Sequence, residues 1–135
     1  MNKLRFLFFS ILLLVNFCLQ AQQTEKQNPY IQLINSDSVF VSAIQSKNIV
    51  VVDFWAIWCK PCQYFLTEYE AVAKTYHKKA KFYKLNYDLC ITTTEQYQVA
   101  SIPTIIIFKN GEEVKRYIGL TSKERIILDL KTIIE

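Results

Sequence analysis

The sequence predicts an α/β protein in which a central mixed β-sheet carries helices on both faces. Its 135 residues are enough for one domain, and a composition of 51% hydrophobic and 21% charged residues is globular and argues against disorder. Segments rich in β-branched residues alternate with segments of helical periodicity, as in α/β folds. An Asn-Gly pair between two late strands predicts an antiparallel hairpin, so the sheet is expected to be mixed.

The N-terminus has the pattern of a secretory signal peptide. Lys3 and Arg5 precede an apolar run from Phe6 to Val15, and polar glutamines follow it. A membrane anchor and a buried helix are the alternatives, but an uncleaved anchor needs about 20 apolar residues and this run is shorter. Ala21 supplies a small residue for cleavage. A lipoprotein signal at Cys18 would need a small preceding residue, and the sequence has a phenylalanine there.

We therefore expect a signal peptide at 1–21, a short polar leader at 22–30 and one folded domain at 31–135. Cleavage removes Lys3 and Arg5 from a chain with 16 basic and 12 acidic residues, so the net charge falls from +4 to +2. No basic block is dense enough to indicate nucleic-acid binding. We expect a periplasmic or secreted monomer that has no stable membrane association after cleavage.

The domain is expected to begin with a strand, a helix and a buried strand. Ile31 to Ile34 forms a short apolar strand, and Ser36 is placed to cap the helix that follows. Ile49 to Ala56 is apolar on both faces apart from Asp53, which is typical of a central strand covered on both sides. The apolar residues of the first helix share one face: Val39, Phe40, Ala43 and Ile44.

A long amphipathic helix, a strand and a short helix are expected next. Pro61 suits the first turn of a helix, and apolar residues then recur at helical spacing. A strand is expected at Phe82 to Tyr87 and a short helix around Thr93 to Tyr97. The apolar stripe of the long helix comprises Phe65, Leu66, Tyr69, Val72, Ala73 and Tyr76.

A hairpin and a helix complete the domain, which gives the order βαβαβαββα. The strands Thr104 to Lys109 and Glu113 to Ile118 flank the Asn-Gly pair at 110–111. Thr121 and Glu124 have the spacing of a capping box for the last helix. Its buried stripe is expected to comprise Ile126, Ile127, Leu130, Ile133 and Ile134.

Reactive chemistry is predicted at Trp58-Cys59-Lys60-Pro61-Cys62. Two cysteines separated by two residues, between a buried strand and a helix, are suited to reversible disulfide exchange. The unpaired N–H groups and the positive dipole end of the helix favour the thiolate of Cys59, which is the nucleophilic form. Cys62 lies one turn further into the helix, where it can resolve a mixed disulfide.

Three other roles of the cysteine pair remain as alternatives. A zinc site needs four ligands, and only Cys90 and His77 remain outside the signal to complete one. A permanent structural disulfide would close so small a loop that it would stabilise little. Two inert core thiols are the third alternative, although Trp58 and Lys60 beside them indicate a surface rim. We expect no metal ion and no cofactor.

Several segments of the sequence resemble the thioredoxin family. The likeness is densest in Val52-Asp-Phe-Trp-Ala-Ile-Trp-Cys-Lys-Pro-Cys62 and extends over roughly residues 31–135. It implies a thioredoxin fold and a thiol–disulfide oxidoreductase activity. The distance from the cysteines to Ile102-Pro103-Thr104 leaves no room for the extra helical domain of the disulfide oxidants that share this fold. Further matching segments are Lys84–Asp88, Phe108–Glu112 and Ile118–Gly119.

The resemblance implies the catalytic residues. Cys59 is the attacking thiol, Cys62 is the resolving thiol, and the two form the redox-active disulfide. Asp53 matches a buried carboxylate that takes the Cys62 proton through water, and burial is expected to raise its pKa toward the working range. Lys84 also matches a family position and is the fourth predicted catalytic residue; the alternative for Asp53 is a buried ion pair with it. Both roles can hold at once.

The resemblance also implies a substrate-binding surface. Pro103 matches the family's cis-proline, which lies beside the cysteines and exposes backbone for pairing with a substrate strand. Trp58 and Gly119 match the apolar rim that contacts substrates, whereas Trp55 is expected only to pack. The predicted substrate-binding residues are Trp58, Lys60, Pro61, Ile102, Pro103 and Gly119.

Some residues depart from the family pattern or have no place in it. Lys60 stands where thioredoxins usually carry glycine. Cys90 is an extra cysteine, which is either buried and inert or a redox-regulated surface thiol. His77 is the single histidine, and its polar surroundings predict a solvated side chain.

We therefore expect an exported oxidoreductase that reduces the disulfides of protein substrates and receives its electrons from a protein dithiol. An oxidase or isomerase is the alternative among enzymes. A non-catalytic thioredoxin-like module that binds partners at the Pro103 surface is the alternative among binding proteins. The presence of Cys59, Cys62 and Asp53 argues against the binding module, since a pure binder does not need all three.

Overall fold

The computed structural model describes residues 28–135, so the predicted signal peptide and most of the predicted leader lie outside the described residues. Among the described helices, none is long and apolar enough to cross a membrane. The elements follow the predicted order: β1 (Ile31–Ile34), α1 (Asp37–Ile44), β2 (Ile49–Trp55), α2 (Lys60–Tyr76), β3 (Ala80–Asn86), α3 (Ile91–Gln96), β4 (Thr104–Lys109), β5 (Glu112–Ile118) and α4 (Lys123–Ile134).

The five strands form one mixed sheet in the order β1-β3-β2-β4-β5. Strand β3 pairs in parallel with β1 and β2, whereas β4 is antiparallel to both β2 and β5. In the turn between β4 and β5, Asn110 and Gly111 have φ values of 56° and 83°. Positive φ at both central residues is what a type I′ hairpin turn requires. The predicted mixed α/β fold is confirmed.

Alternate side chains of β2 enter two cores on opposite faces of the sheet. Val51 packs in one core with residues of α2 and α4, including Tyr69 and Ile126. Val50 and Val52 pack in the other core, on the α1 and α3 side. This double burial explains the continuous apolar run of β2. Side chains alternate between the two faces of a strand, so Asp53 points to the same face as Val51. This is the side of the sheet on which α2 lies.

Helix α1 buries a narrower face than predicted. Phe40 and Ile44 are buried, whereas Val39 is 47% exposed. In a helix of only 8 residues, one i, i+4 pair is enough to fill the contact with the sheet. Ser36 occupies the N-cap position, but its hydroxyl lies 3.3 Å from that of Ser38 and makes no side-chain cap bond.

The last helix begins one residue later than the predicted capping box requires. Ser122, not Thr121, is the N-cap, and its hydroxyl accepts a hydrogen bond from the Arg125 backbone N–H at 3.4 Å. Both residues are suitable caps by type, and the structure uses Ser122. In the observed register, Ile126 and Leu130 are fully buried.

Helix α3 is capped by a side chain from α1. Cys90 occupies its N-cap position and makes no side-chain cap bond. Instead, Asp37 Oδ1 accepts hydrogen bonds from the Thr93 hydroxyl at 2.5 Å and from the Thr93 backbone N–H at 2.8 Å. These bonds hold the pKa of Asp37 below its usual value. The two helices are thereby tied together on one face of the sheet.

Candidate active site

The predicted cysteine pair lies where the chain passes from β2 into α2. Cys59 is the N-cap residue of α2, and its Sγ accepts a hydrogen bond from the Cys62 backbone N–H at 3.2 Å. Pro61 lies in the first turn of the helix, as predicted. The two sulfur atoms form a disulfide bond, and the residues are only 3% and 2% exposed. The structure therefore shows the oxidised form of the pair.

A small apolar cluster surrounds the disulfide. Ala56 is fully buried against it, and the half-buried side chains of Trp55, Tyr87 and Ile102 pack around it. The Tyr87 backbone N–H donates to the Trp55 carbonyl oxygen at 2.8 Å. This bond ties the segment after β3 to the end of β2, directly beside the cysteines.

Asp53 is the ionisable residue of β2, and it is fully buried. Neither of its carboxylate oxygens has a hydrogen-bond partner among residues 28–135. Desolvation raises the pKa of Asp53 to about 7, although the positive charge of Lys84 lowers it in part. A carboxyl that titrates near neutral pH has the property that a general acid–base catalyst needs.

Lys84 lies on β3 directly across from Asp53, as its register partner. Its Nζ is 4.0 Å from the centroid of the Trp55 ring, which is a cation–π distance. Lys84 thus stacks on one neighbour of the disulfide and acts electrostatically on the carboxyl. Trp55 was expected only to pack, but its ring also makes a cation–π contact with the Lys84 ammonium group.

The predicted rim residues that directly precede β4 and follow β5 come together. The Ile102–Pro103 peptide is cis, as the resemblance implies. The Gly119 backbone N–H donates to the Pro103 carbonyl oxygen at 2.8 Å. A Cβ atom added at Gly119 would meet no atom within 4 Å, so lack of space does not explain the glycine. The backbone φ of 79° explains it, because residues with side chains rarely adopt this conformation. Ile102 links this rim to the cluster around the disulfide.

Trp58 forms the exposed wall beside Cys59, and it has a partner that the sequence did not reveal. Its side chain is 61% exposed, and Nε1 donates to Asp88 Oδ2 at 2.9 Å. Lys60 and Pro61, on the other side of Cys59 in the chain, are also exposed. Asp88 belongs to a segment that matches the family pattern, but a contact across 30 residues leaves no local signal in the sequence.

Cys90 and His77 lie outside this arrangement. Cys90 is fully buried, its Sγ is 3.7 Å from the Ile34 carbonyl oxygen, and desolvation raises its pKa to about 11. These features agree with the inert alternative. His77 is partly exposed, and its ring lies 4.6 Å from the ring of Tyr30, so it is less solvated than expected.

Comparison with known proteins identifies the family. The family model described as Thioredoxin matches residues 31–132. The chain belongs to the thioredoxin family. It is 40% identical over 100 residues to the thioredoxin of Alicyclobacillus acidocaldarius, which covers 74% of this chain and 95% of the relative. It is 43% identical over 91 residues to the thioredoxin of Staphylococcus epidermidis, which covers 67% of this chain and 86% of the relative.

Solved thioredoxin structures share the fold. The thioredoxin of Plasmodium falciparum superposes with a TM-score of 0.69 at 32% identity, covering 75% of this chain and 97% of that one. As a member of the thioredoxin family, the chain is a thiol–disulfide oxidoreductase, and the disulfide between Cys59 and Cys62 fits the redox pair of such an enzyme. The individual roles of Asp53, Lys84 and the rim residues remain predictions.

Proposed function

We propose that this thioredoxin-family protein is an exported reductase of protein disulfides. The observation that carries the proposal is the position of Asp53. It is a fully buried carboxyl with a pKa raised to about 7, and it lies on the strand that leads directly to Cys59 and Cys62. The resolving step of a reductase needs a thiolate at Cys62, and a base of this pKa is suited to generating it near neutral pH.

Reduction proceeds in two exchange steps. The Cys59 thiolate attacks one sulfur of the substrate disulfide, which forms a mixed disulfide and releases the other substrate sulfur as a thiolate. Cys62 then gives its proton to Asp53, through water, and its thiolate attacks the Cys59 sulfur. This attack releases the second substrate sulfur and forms the Cys59–Cys62 disulfide. The substrate gains two electrons, and a protein dithiol returns two electrons to the enzyme.

Oxidation is the reverse of these steps, and the similarity to thioredoxins favours reduction. The family model that matches residues 31–132 is that of thioredoxin, and the sequence relatives are thioredoxins over most of this range. We propose export because the first 21 residues combine a basic start, an apolar run and a small residue before Gln22. Fractionation of the producing cell and N-terminal sequencing of the mature protein test the export and the cleavage after Ala21.

Substrate trapping tests the assignment of the two cysteines. Cys62→Ser should accumulate covalent complexes with substrate proteins, because attack occurs and resolution does not. Cys59→Ser should accumulate none. Equal trapping by both variants would show that the assignment is wrong. Turnover of insulin disulfides by the unaltered protein separates an enzyme from a binding module.

The direction of electron flow requires a measurement in the native compartment. Rapid acid quenching followed by alkylation with a mass tag reports the fraction of Cys59 and Cys62 that is reduced at steady state. A reductase is kept mainly reduced by its donor, whereas an oxidase is kept mainly oxidised. A mainly oxidised pair would reject the reductase proposal in favour of the oxidase alternative.

A further inference from the structure

The wall beside the nucleophile is held in place by a carboxylate. Trp58 directly precedes Cys59, is 61% exposed, and donates its indole N–H to Asp88 at 2.9 Å. An exposed indole without a partner would sample several rotamers. The bond to Asp88 selects one of them, so the surface next to Cys59 has a defined shape.

Asp88 is itself fixed by the segment that carries it. Its backbone N–H donates to the Asn86 side-chain oxygen at 2.9 Å, and the Cys90 backbone N–H donates to the Asn86 carbonyl oxygen at 3.1 Å. The neighbouring residue Tyr87 bonds to β2 and packs on the disulfide cluster. The carboxylate is therefore presented from an ordered turn, and its negative charge stays beside Trp58.

A positive charge, that of Lys60, follows Cys59 in the chain, whereas Trp58 with its bond to Asp88 precedes it. Lys60 is the first residue of α2 and is exposed. A substrate that approaches Cys59 therefore meets an apolar surface, to which Ile57 and Trp58 contribute, with a negative charge held against Trp58 and a positive charge at Lys60. Such an arrangement distinguishes the two possible orientations of a charged peptide.

We propose that Asp88 and Lys60 determine substrate orientation and specificity. The favoured substrates carry a basic residue on the Trp58 side of the reacting cysteine and an acidic residue on the Lys60 side. Asp88 is in addition a positioning residue, since it acts on Cys59 substrates through Trp58. The inference rests on the proposed reductase function and names the substrate class of that site.

Two peptide disulfides of equal composition test the orientation. Each is a homodimer of a short peptide, one containing Lys-Cys-Glu and the other Glu-Cys-Lys, and the rate of each is divided by that of a Ser-Cys-Ser reference. Each rim charge is expected to contribute about 2–5-fold, so one order should react about 4–25-fold faster in kcat/KM at low salt. High salt should bring the ratio toward one.

A charge reversal at Lys60 provides the matched control. The double variant K60E/D88N keeps an acceptor for Trp58 and should reverse the preferred order, and K60Q/D88N should abolish the preference. A ratio of one in the unaltered protein at low salt, or an unchanged preference in K60E/D88N, would overturn the inference. If the unaltered protein reduces neither the peptides nor insulin, the proposed function fails instead, so the two failures are distinguishable.

The positioning role has its own readout. Asp88→Asn keeps an oxygen that can accept from Trp58, so it should raise KM for the Ser-Cys-Ser reference less than Asp88→Ala does, while the charge preference weakens. Asp88→Ala removes the acceptor and should raise this KM several-fold with a smaller change in kcat. Acrylamide quenching of tryptophan fluorescence should increase only in D88A. Identical behaviour of the two variants in KM and quenching would overturn the positioning role.

Discussion

At the scale of single residues, Asp53 links proton chemistry to stability. Its pKa is about 7 in the folded protein and about 3.8 in the unfolded chain, so the folded state binds this proton more tightly. This tighter proton binding stabilises the folded state in full below pH 3.8, and the stabilisation is lost as the pH rises through 7. The structure therefore predicts that burial of Asp53 costs stability above about pH 7.

Asp53→Asn should stabilise the fold above neutral pH and leave it nearly unchanged at acid pH. The variant cannot ionise, so its free energy of unfolding at pH 8 should exceed that of the unaltered protein by about 2–4 kcal/mol. Urea denaturation of both proteins at pH 4, 6 and 8 measures this difference. A variant that is less stable at pH 8 would instead support Asp53 as a structural partner of Lys84.

Lys60 should tune the redox potential only slightly. Its positive charge favours the Cys59 thiolate, which exists only in the reduced enzyme, so it should make the disulfide a stronger oxidant. Lys60→Gln should lower the reduction potential by about 6–20 mV, because an exposed charge acts weakly in water. Titration against glutathione at two ionic strengths measures this shift, which should shrink in high salt. A shift to a higher potential would contradict the electrostatic account.

At the scale of elements, α3 depends on a cap that another helix supplies. Asp37→Ala removes the acceptor for both Thr93 hydrogen bonds and should cost about 1–2 kcal/mol of unfolding free energy at pH 7. Asp37→Asn keeps an oxygen acceptor and should recover part of this loss. Because the pKa of Asp37 is lowered in the fold, its contribution is present above its unfolded pKa and lost as the pH falls through the lowered value.

Denaturant midpoints of both Asp37 variants at neutral and acid pH test this prediction. The difference between Asp37→Ala and the unaltered protein should shrink in acid, where the unaltered carboxyl is protonated as well. Equal stability of the alanine variant at pH 7 would show that α3 does not rely on this cap.

The elements themselves were predictable because periodicity is a local property. The β-branched run of β2 and the helical spacing from Phe65 to Tyr76 predicted their types, and the observed bounds lie within about two residues. The errors lie where local rules allow two answers, as with Thr121 and Ser122. The partners of Asp37 and Trp58 could not be predicted, since they come from elements 56 and 30 residues away.

At the scale of the whole molecule, the buried Cys90 reports on cooperative opening. Its side chain is fully buried in the core on the α1 and α3 side, and its pKa is about 11. In the oxidised mature protein, a thiol reagent should therefore react with Cys90 only after the fold opens. The labelling rate should follow denaturant-induced unfolding measured by circular dichroism.

Rapid labelling of the native protein would contradict this prediction. Cys90→Ala is the matched control, because any labelling that persists in it comes from reduced Cys59 or Cys62. Sedimentation over a wide concentration range tests the monomer predicted from the sequence. The labelling rate of a monomer should not depend on concentration.

The short segment between β3 and α3 also restricts where the chain length can change. Tyr87 packs on the disulfide cluster, Asp88 bonds to Trp58, and Cys90 enters the core. Inserting or deleting one residue here would shift at least one of these side chains away from its partner.

The turn at 110–111 lies at the far end of β4 from Pro103, roughly 20 Å away along the strand. New termini for circular permutation, or a fused reporter domain, therefore belong at that turn.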